Sequence, residues 1–304
     1  MVECWGGDRT LAAWDLFNEI HPYWGGTPAQ QSAVIARVSN AVRGMEERAW
    51  GFSRPQTLSI FGPEPSEEYE TLILRHPSLD FATTHIYQGA IDYPRDTIEP
   101  ALTMGGWVRH ALERVTPGRP FTDTEHGPIH LFNDHKKMLP EPLDDEYERH
   151  LMWAHLASGG AGGGMRWSAR HPHLLTPGTL QAVSSLAGFA RLMDWRRFAP
   201  RDAASDVTTE AKGVCVFGCR DDRQAVLWLL RDTRGHAKMS PGFGEVRLHG
   251  LLPGAYEVTP WQTAAGTAEA TQIITVAPSG EMRVRLPVVA TDLALAIRPA
   301  SRQP

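Results

Sequence analysis

Thr10-Leu11-Ala12-Ala13-Trp14-Asp15-Leu16-Phe17-Asn18-Glu19 is a compact, mostly apolar run that ends on an amide and a carboxylate. After the turn Trp24-Gly25-Gly26-Thr27-Pro28, Val34, Val38, Val42 and Met45 recur at spacings of four or three. That is helical periodicity, with Thr27 placed to cap the helix and Pro28 at its first position. A strand followed by a helix in this order is one βα unit.

Working outward, the pattern repeats. Thr57 to Phe61 predicts a strand and Ser66 to Arg75 its helix, opened by Ser-Glu-Glu. Asp80 to Tyr87 predicts a third strand, and Asp96 to Val115 a helix with Ile98, Leu102, Trp107, Ala111 and Val115 on one face. A fourth strand, Pro120 to Thr124, leads to Glu125. Gly127 to Leu143 carries His, Pro and Lys without periodicity, as a long loop shaping a cleft does. A helix over Asp144 to Ala157 follows, and the glycine run Gly159 to Gly164 turns into Met165-Arg166-Trp167 as a fifth strand. A last amphipathic helix runs from Thr176 to about Phe198. Alternating strands and helices imply a parallel sheet.

Beyond Pro200 the period drops to two. Gly213 to Gly218, Ala225 to Leu230, Glu245 to Leu248, Tyr256 to Trp261, Gln272 to Val276, Met282 to Leu286 and Asp292 to Ile297 read as short strands between turns such as Pro253-Gly254. This spacing predicts a small all-β sandwich over 201–304, after an α/β domain over 1–200.

Composition narrows the partners. A net charge of −5 on 304 residues, without a concentrated basic face, argues against nucleic acid. No apolar run approaches the roughly 18 residues of a membrane span. Cys4, Cys215 and Cys219 are too few for a disulfide framework or a paired metal spacing; a Cys215 to Cys219 bridge and two buried thiols both remain open. Ten Trp residues hint at stacking on sugar rings, although core packing explains any single one. His126, His130 and His135 are irregularly spaced, and the glycine run lacks a Gly-Lys-Ser/Thr ending, so neither a zinc site nor a phosphate loop is expected. No cofactor is implied.

Glu19 and Glu125 each close an apolar run. Singly, each could equally be a solvated carboxylate opening a loop. Together, at strand ends of one parallel barrel, they would point to a common centre. Glycoside cleavage with retention needs such a pair, a proton donor and a nucleophile about 5 Å apart.

Ala13-Trp14-Asp15-Leu16-Phe17-Asn18-Glu19 resembles the fourth-strand signature of glycoside hydrolase clan A, and Thr122-Asp123-Thr124-Glu125-His126-Gly127 its seventh. Thr84-His85-Ile86-Tyr87 resembles the sixth-strand His-x-Tyr of family 5 and its relatives, and Met165-Arg166-Trp167 stands where the eighth strand supplies a sugar-stacking Trp. The resemblance implies a (β/α)8 TIM-barrel glycosidase that is N-terminally incomplete, from about strand 4 to strand 8. Glu19 would be the acid/base and Glu125 the nucleophile, which must stay ionised. Asn18 would hold the sugar 2-hydroxyl, Tyr87 the nucleophile, and Trp167 the floor of a sugar subsite. His85 is either a cleft residue or a hydrogen-bonded core histidine. His21 and Trp24 have weaker claims on the cleft, and Glu64 reads as a rim residue.

Clan barrels carry three βα units before the Asn-Glu strand, where this chain has ten residues. Met1 is therefore expected to be an internal start or fragment boundary, with any export signal upstream. The implied function is a retaining β-glycosidase acting on an oligo- or polysaccharide of mannan or glucan type. The alternatives are a non-catalytic remnant that at most binds carbohydrate, and a barrel of unrelated chemistry.

Overall fold

The computed structural model describes residues 1–20, 25–88, 96–128, 141–167, 176–234 and 244–300. They fall into two compact units: Met1–Ala90 with His110–Ile129 and Gly164–Trp167, and Ile91–Arg109 with His130–Gly163 and Ser168–Pro304. Among the described residues, no helix is long and apolar enough to cross a membrane.

In the first unit, five chain segments are hydrogen-bonded side by side in sequence order. β1 (Trp14–Asp15) pairs in parallel with β2 (Gln56–Thr57), and the ladder continues through Ser59 N–H to Phe17 O at 3.1 Å and Ile20 N–H to Ser59 O at 2.8 Å. β2 joins β3 (Ala82–Gln88) through His85 N–H to Ile60 O at 3.0 Å. β3 pairs in parallel with β4 (Phe121–Pro128), and β4 in turn with Arg166. The segments from 10 and 57 give shorter strands than their apolar runs predict. β4 is longer than predicted, running through Glu125 to Pro128.

The helices of this unit are α1 (Val2–Trp5), α2 (Pro28–Trp50), α3 (Glu67–Ile73) and the end of α4 (Ile98–Arg114). α2 begins as its sequence dictates. Thr27 Oγ1 accepts from Gln30 N–H while Gln30 Oε1 accepts from Thr27 N–H, a reciprocal cap with Pro28 at the first position. The buried Glu46 of α2 accepts from Trp14 Nε1 at 2.8 Å and Arg54 N–H at 2.8 Å, and pairs with the Arg54 guanidinium at 3.0 Å. Arg54 also donates to the carbonyls of Gly6, Asp8 and Leu11, so one buried cation binds the first dozen residues to α2.

The second unit is built on two antiparallel sheets. The larger has the order β11 (Thr267–Ala268), β10 (Gly254–Gln262), β14 (Asp292–Pro299), β8 (Ala225–Arg231), β7 (Val214–Arg220), β5 (Arg201–Asp202), with β12 (Gln272–Val276) also on β10. The smaller has the order β13 (Met282–Arg285), β9 (Glu245–Leu248), β6 (Val207–Thr209). Leu227, Leu229, Leu293, Leu295 and Val258 of the first meet Val246, Leu248, Met282 and Val284 of the second in one apolar core. β8 and β14 are buried almost throughout, because α5 (Glu141–Ala157) covers the other face. The His150 ring meets Trp228 edge-on there, and Cys219 Sγ lies 3.6 Å from Leu156 O. Cys215 and Cys219 are free thiols, so the open question of a bridge resolves to none; only Cys219 is fully buried.

α6 (Pro177–Ala190) stops short of the predicted Phe198. Trp195 Nε1 donates to Ala190 O at 2.5 Å, and the Gln224 side chain takes both the amide and the carbonyl of Asp194, ending the helix with side-chain bonds.

One buried carboxylate organises the α5 face. Asp292 accepts from Trp228 Nε1 at 3.0 Å, Thr291 Oγ1 at 3.0 Å and Thr263 Oγ1, with Arg149 at 3.3 Å and His150 at 3.5 Å. Burial pushes its pKa up, but the His150 hydrogen bond, the His150 and Arg149 charges and the Thr263 hydroxyl outweigh burial and hold it well below the carboxylate range. A depressed carboxylate stabilises the fold above its unfolded value of about 3.9, and that contribution drains away as pH falls through the folded value. Asp292→Ala is expected to lower the unfolding free energy by about 3 kcal/mol at neutral pH. In urea titrations the gap to the parent protein should narrow on acidification below pH ~4. An equal gap at all pH would rule out the charged network as its source.

Candidate active site

Two of these parallel segments carry the acidic groups: Glu19 just beyond β1, and Glu125 within β4. Glu19 follows β1 and is the sole described non-glycine residue at positive φ, 51°. Its amide donates to Ser59 Oγ at 3.1 Å, which fixes this left-handed turn against the neighbouring segment. β2 continues as Leu58-Ser59-Ile60-Phe61, where Leu58 and Ile60 are buried core residues. Ser59 and Phe61 alternate with them onto the opposite face, the one carrying Glu19.

His85 sits on β3 with its ring fully buried. Its Nδ1 lies 2.7 Å from Glu19 Oε1 and 3.3 Å from Glu125 Oε2. Nε2 is buried without a hydrogen-bond partner among the described residues, so the ring's proton belongs on Nδ1, facing the acids. Tyr87 O–H donates to Glu125 Oε2 at 2.5 Å. Burial first, then the bond to Glu125 and the nearby carboxylates, push the phenol far above its ordinary pKa, so it remains a donor at every working pH. Glu125 is nearly buried, while the Glu19 side chain keeps 32% of its surface open. The Glu19, His85 and Glu125 ligand atoms all lie within 4.8 Å of one another, close enough to hold a divalent cation, although His85 Nδ1 already hydrogen-bonds Glu19 and lies 3.3 Å from Glu125.

The structure thus gathers four of the six expected residues, Glu19, His85, Tyr87 and Glu125, at one point. Asn18 is exposed beside Glu19 and takes no part in these hydrogen bonds. Trp167 is 45% exposed on the segment paired to β4, its amide donating to His126 O at 2.9 Å. Glu64 lies outside the cluster, 2.9 Å from His110. His21, Trp24, His130 and His135 lie outside the described residues.

Three neighbours escaped sequence reasoning. Ser59 holds the Glu19 turn. Phe61 stacks on Tyr87 at 5.7 Å between centroids and is 46% exposed. Asp15 adds a third carboxylate; surrounding protein pushes its pKa up, opposed by the Ser59 hydroxyl and His85, with Glu125 adding to the rise. Strict alternation along Thr57 to Phe61, and the i, i+4 spacing of Asp15 and Glu19 across an irregular strand end, were the available signals.

Two carboxylates on parallel segments, Glu19 with an imidazole against it and Glu125 with a phenol donating to it, make a compact cluster of groups able to exchange protons. The fold is similar to that of solved glycoside hydrolases. No protein-family model matches the chain, and no curated protein does. Among solved structures it is similar to a protein described as a glycoside hydrolase, at TM-score 0.54 and 13% identity, covering 91% of this chain and 69% of that one. It is also similar to a family 5 glycoside hydrolase from Bacteroides vulgatus, at TM-score 0.57 and 12% identity, covering 86% of this chain and 58% of that one. A family 30 endoxylanase from Clostridium papyrosolvens matches at TM-score 0.48 and 13% identity, covering 95% of this chain and 66% of that one.

Holding Glu19 left-handed stores strain of about 1 kcal/mol. Glu19→Gly is therefore expected to leave stability unchanged or raised by up to ~1 kcal/mol, where glycine elsewhere costs about that much. Chemical denaturation checks this. A loss beyond ~1 kcal/mol would show that the carboxylate contacts, not the backbone, dominate there.

Proposed function

We propose that the protein is a retaining β-glycosidase in which Glu19 is the acid/base and Glu125 the nucleophile. The observation that carries this reading is that the two carboxylates approach within 4.8 Å. Retaining enzymes hold their acids about 5 Å apart, whereas inverting ones leave about 6.5–9.5 Å for a water. In the first step Glu19 protonates the leaving oxygen while Glu125 attacks the anomeric carbon and forms a glycosyl ester. Glu19, now ionised, then takes a proton from the water that attacks the anomeric carbon and displaces the Glu125 carboxylate, releasing the sugar. His85, 2.7 Å from one acid and 3.3 Å from the other, supplies a hydrogen bond to whichever carries the charge. Tyr87 holds Glu125 in line, and Asn18, Trp167 and Phe61 are the exposed groups that would meet sugar.

In this reading residues 1–200 supply barrel strands 4 to 8 and residues 201–304 an accessory β-sandwich. The substrate is a β-linked glycan of mannan or glucan type, a choice supported by the family 5 resemblance of the motifs. The chain spans 58% to 69% of the three enzyme structures above, so the activity proposed is that of the barrel to which these strands belong.

The test is hydrolysis of a panel of aryl β-glycosides. Turnover is expected with at least one sugar, and Glu125→Ala should lower kcat/KM by about 10⁴-fold. Activity surviving that substitution would refute the assignment. A sugar-dependent change in Trp fluorescence with no turnover would point instead to a protein that binds carbohydrate without cleaving it.

A further inference from the structure

The parallel register between β3 and β4 breaks once. Thr84 pairs with Asp123 and His85 with Glu125, so Thr124 is an extra residue on β4. Simple alternation would put Thr124 and Glu125 on opposite faces. Instead Thr124 Oγ1 meets Thr83 Oγ1 at 3.1 Å, while Glu125 lies beside His85; Thr83 and His85 are two residues apart on one face. Both Thr124 and Glu125 therefore face the site. A β-bulge re-aims a side chain in this way, and something must hold the irregularity in place.

Asp123 and His126 flank the two re-aimed residues and turn the other way. There Asp123 Oδ2 lies 2.7 Å from His126 Nδ1, with both side chains fully buried. The pair spans the bulge as a staple. Its surroundings are shaped around it: a Cβ at Gly164 would fall 1.7 Å from Asp123 Oδ1, and Gly164 itself has φ of 71°. His126 also holds the next segment, its amide donating to Met165 O at 2.8 Å and its carbonyl accepting from Trp167 N–H at 2.9 Å. One residue thus links the strand carrying Glu125 to the strand carrying Trp167.

We infer that the buried Asp123–His126 pair is a positioning device: it stabilises the β4 bulge and thereby aims Glu125 at Tyr87 and His85. The inference rests on the role proposed for Glu125, and it has a readout that does not depend on turnover. Asp123→Leu removes the staple, whereas Asp123→Asn keeps an oxygen that accepts from Nδ1–H.

The experiment is to determine crystal structures of both variants and of the parent chain, and to measure kcat and KM for each. In Asp123→Leu the Glu125 carboxylate is expected to leave hydrogen-bond range of Tyr87, with kcat reduced by about 10²-fold and KM changed by less than about threefold. Asp123→Asn should keep both the contact and the rate. If Asp123→Leu does not fold, Asp123→Ser, too short to reach His126, takes its place with the same expectations. Glu125 still bonded to Tyr87 and His85 in the folded Leu or Ser variant would overturn the inference. So would loss of that contact in Asp123→Asn. A parent chain that turns over no substrate would count against the catalytic reading alone, since the Glu125 geometry still decides the role of the pair.

Discussion

The parallel pairing of β3 with β4, broken once between Thr84 and His85, sets where every polar group of the site stands. Parallel strands joined in sequence order bring equivalent ends of successive segments to one edge. Glu19, His85, Tyr87, Glu125 and Trp167 reach that edge from four segments separated by whole helices. No local sequence interaction could collect them; the ladder does. Its outer layers serve the same end, with Leu58, Ile60 and Ile86 buried behind the strands while Ser59, His85 and Tyr87 face the acids.

Two carboxylates this close repel each other when both are charged. The structure answers with donors: the His85 Nδ1 proton between the acids, the Tyr87 phenol on Glu125, and the Ser59 hydroxyl toward Asp15. The backbone contributes as well, since Glu19 adopts a left-handed conformation that a carboxylate-bearing residue does not choose freely. Strain at the acid's own Cα, and a bulge at the partner's, are what bring the two oxygens within 4.8 Å. In the second unit the same physics works for stability instead, with Asp292 buried and fully supplied with donors beneath α5.

Much of the site was legible because strand ends mark themselves. Asn18-Glu19 stops an apolar run, Glu125 follows the strand predicted over Pro120 to Thr124, and His85 and Tyr87 were indicated by the His-x-Tyr resemblance. α2 was legible down to its cap, since Thr27, Pro28 and Gln30 act locally. What stayed hidden depends on partners distant in sequence. β4 runs past Glu125 because Met165 and Trp167 supply its hydrogen bonds, and α6 ends early because Gln224 claims Asp194. The bulge at Thr124 was invisible, for it exists only against β3. β8 and β14 were read as short period-two strands, yet α5 covers their second face and both bury nearly every residue.

The most direct test of the catalytic account is to incubate the protein with activated 2-deoxy-2-fluoro-β-glycosides of gluco and manno configuration and map the labelled peptide by mass spectrometry. Such reagents trap the glycosyl ester of a retaining enzyme. The account requires a single label, on Glu125. A label on Glu19 or Asp15, or substrate turnover that proceeds with inversion and leaves no label, would contradict it.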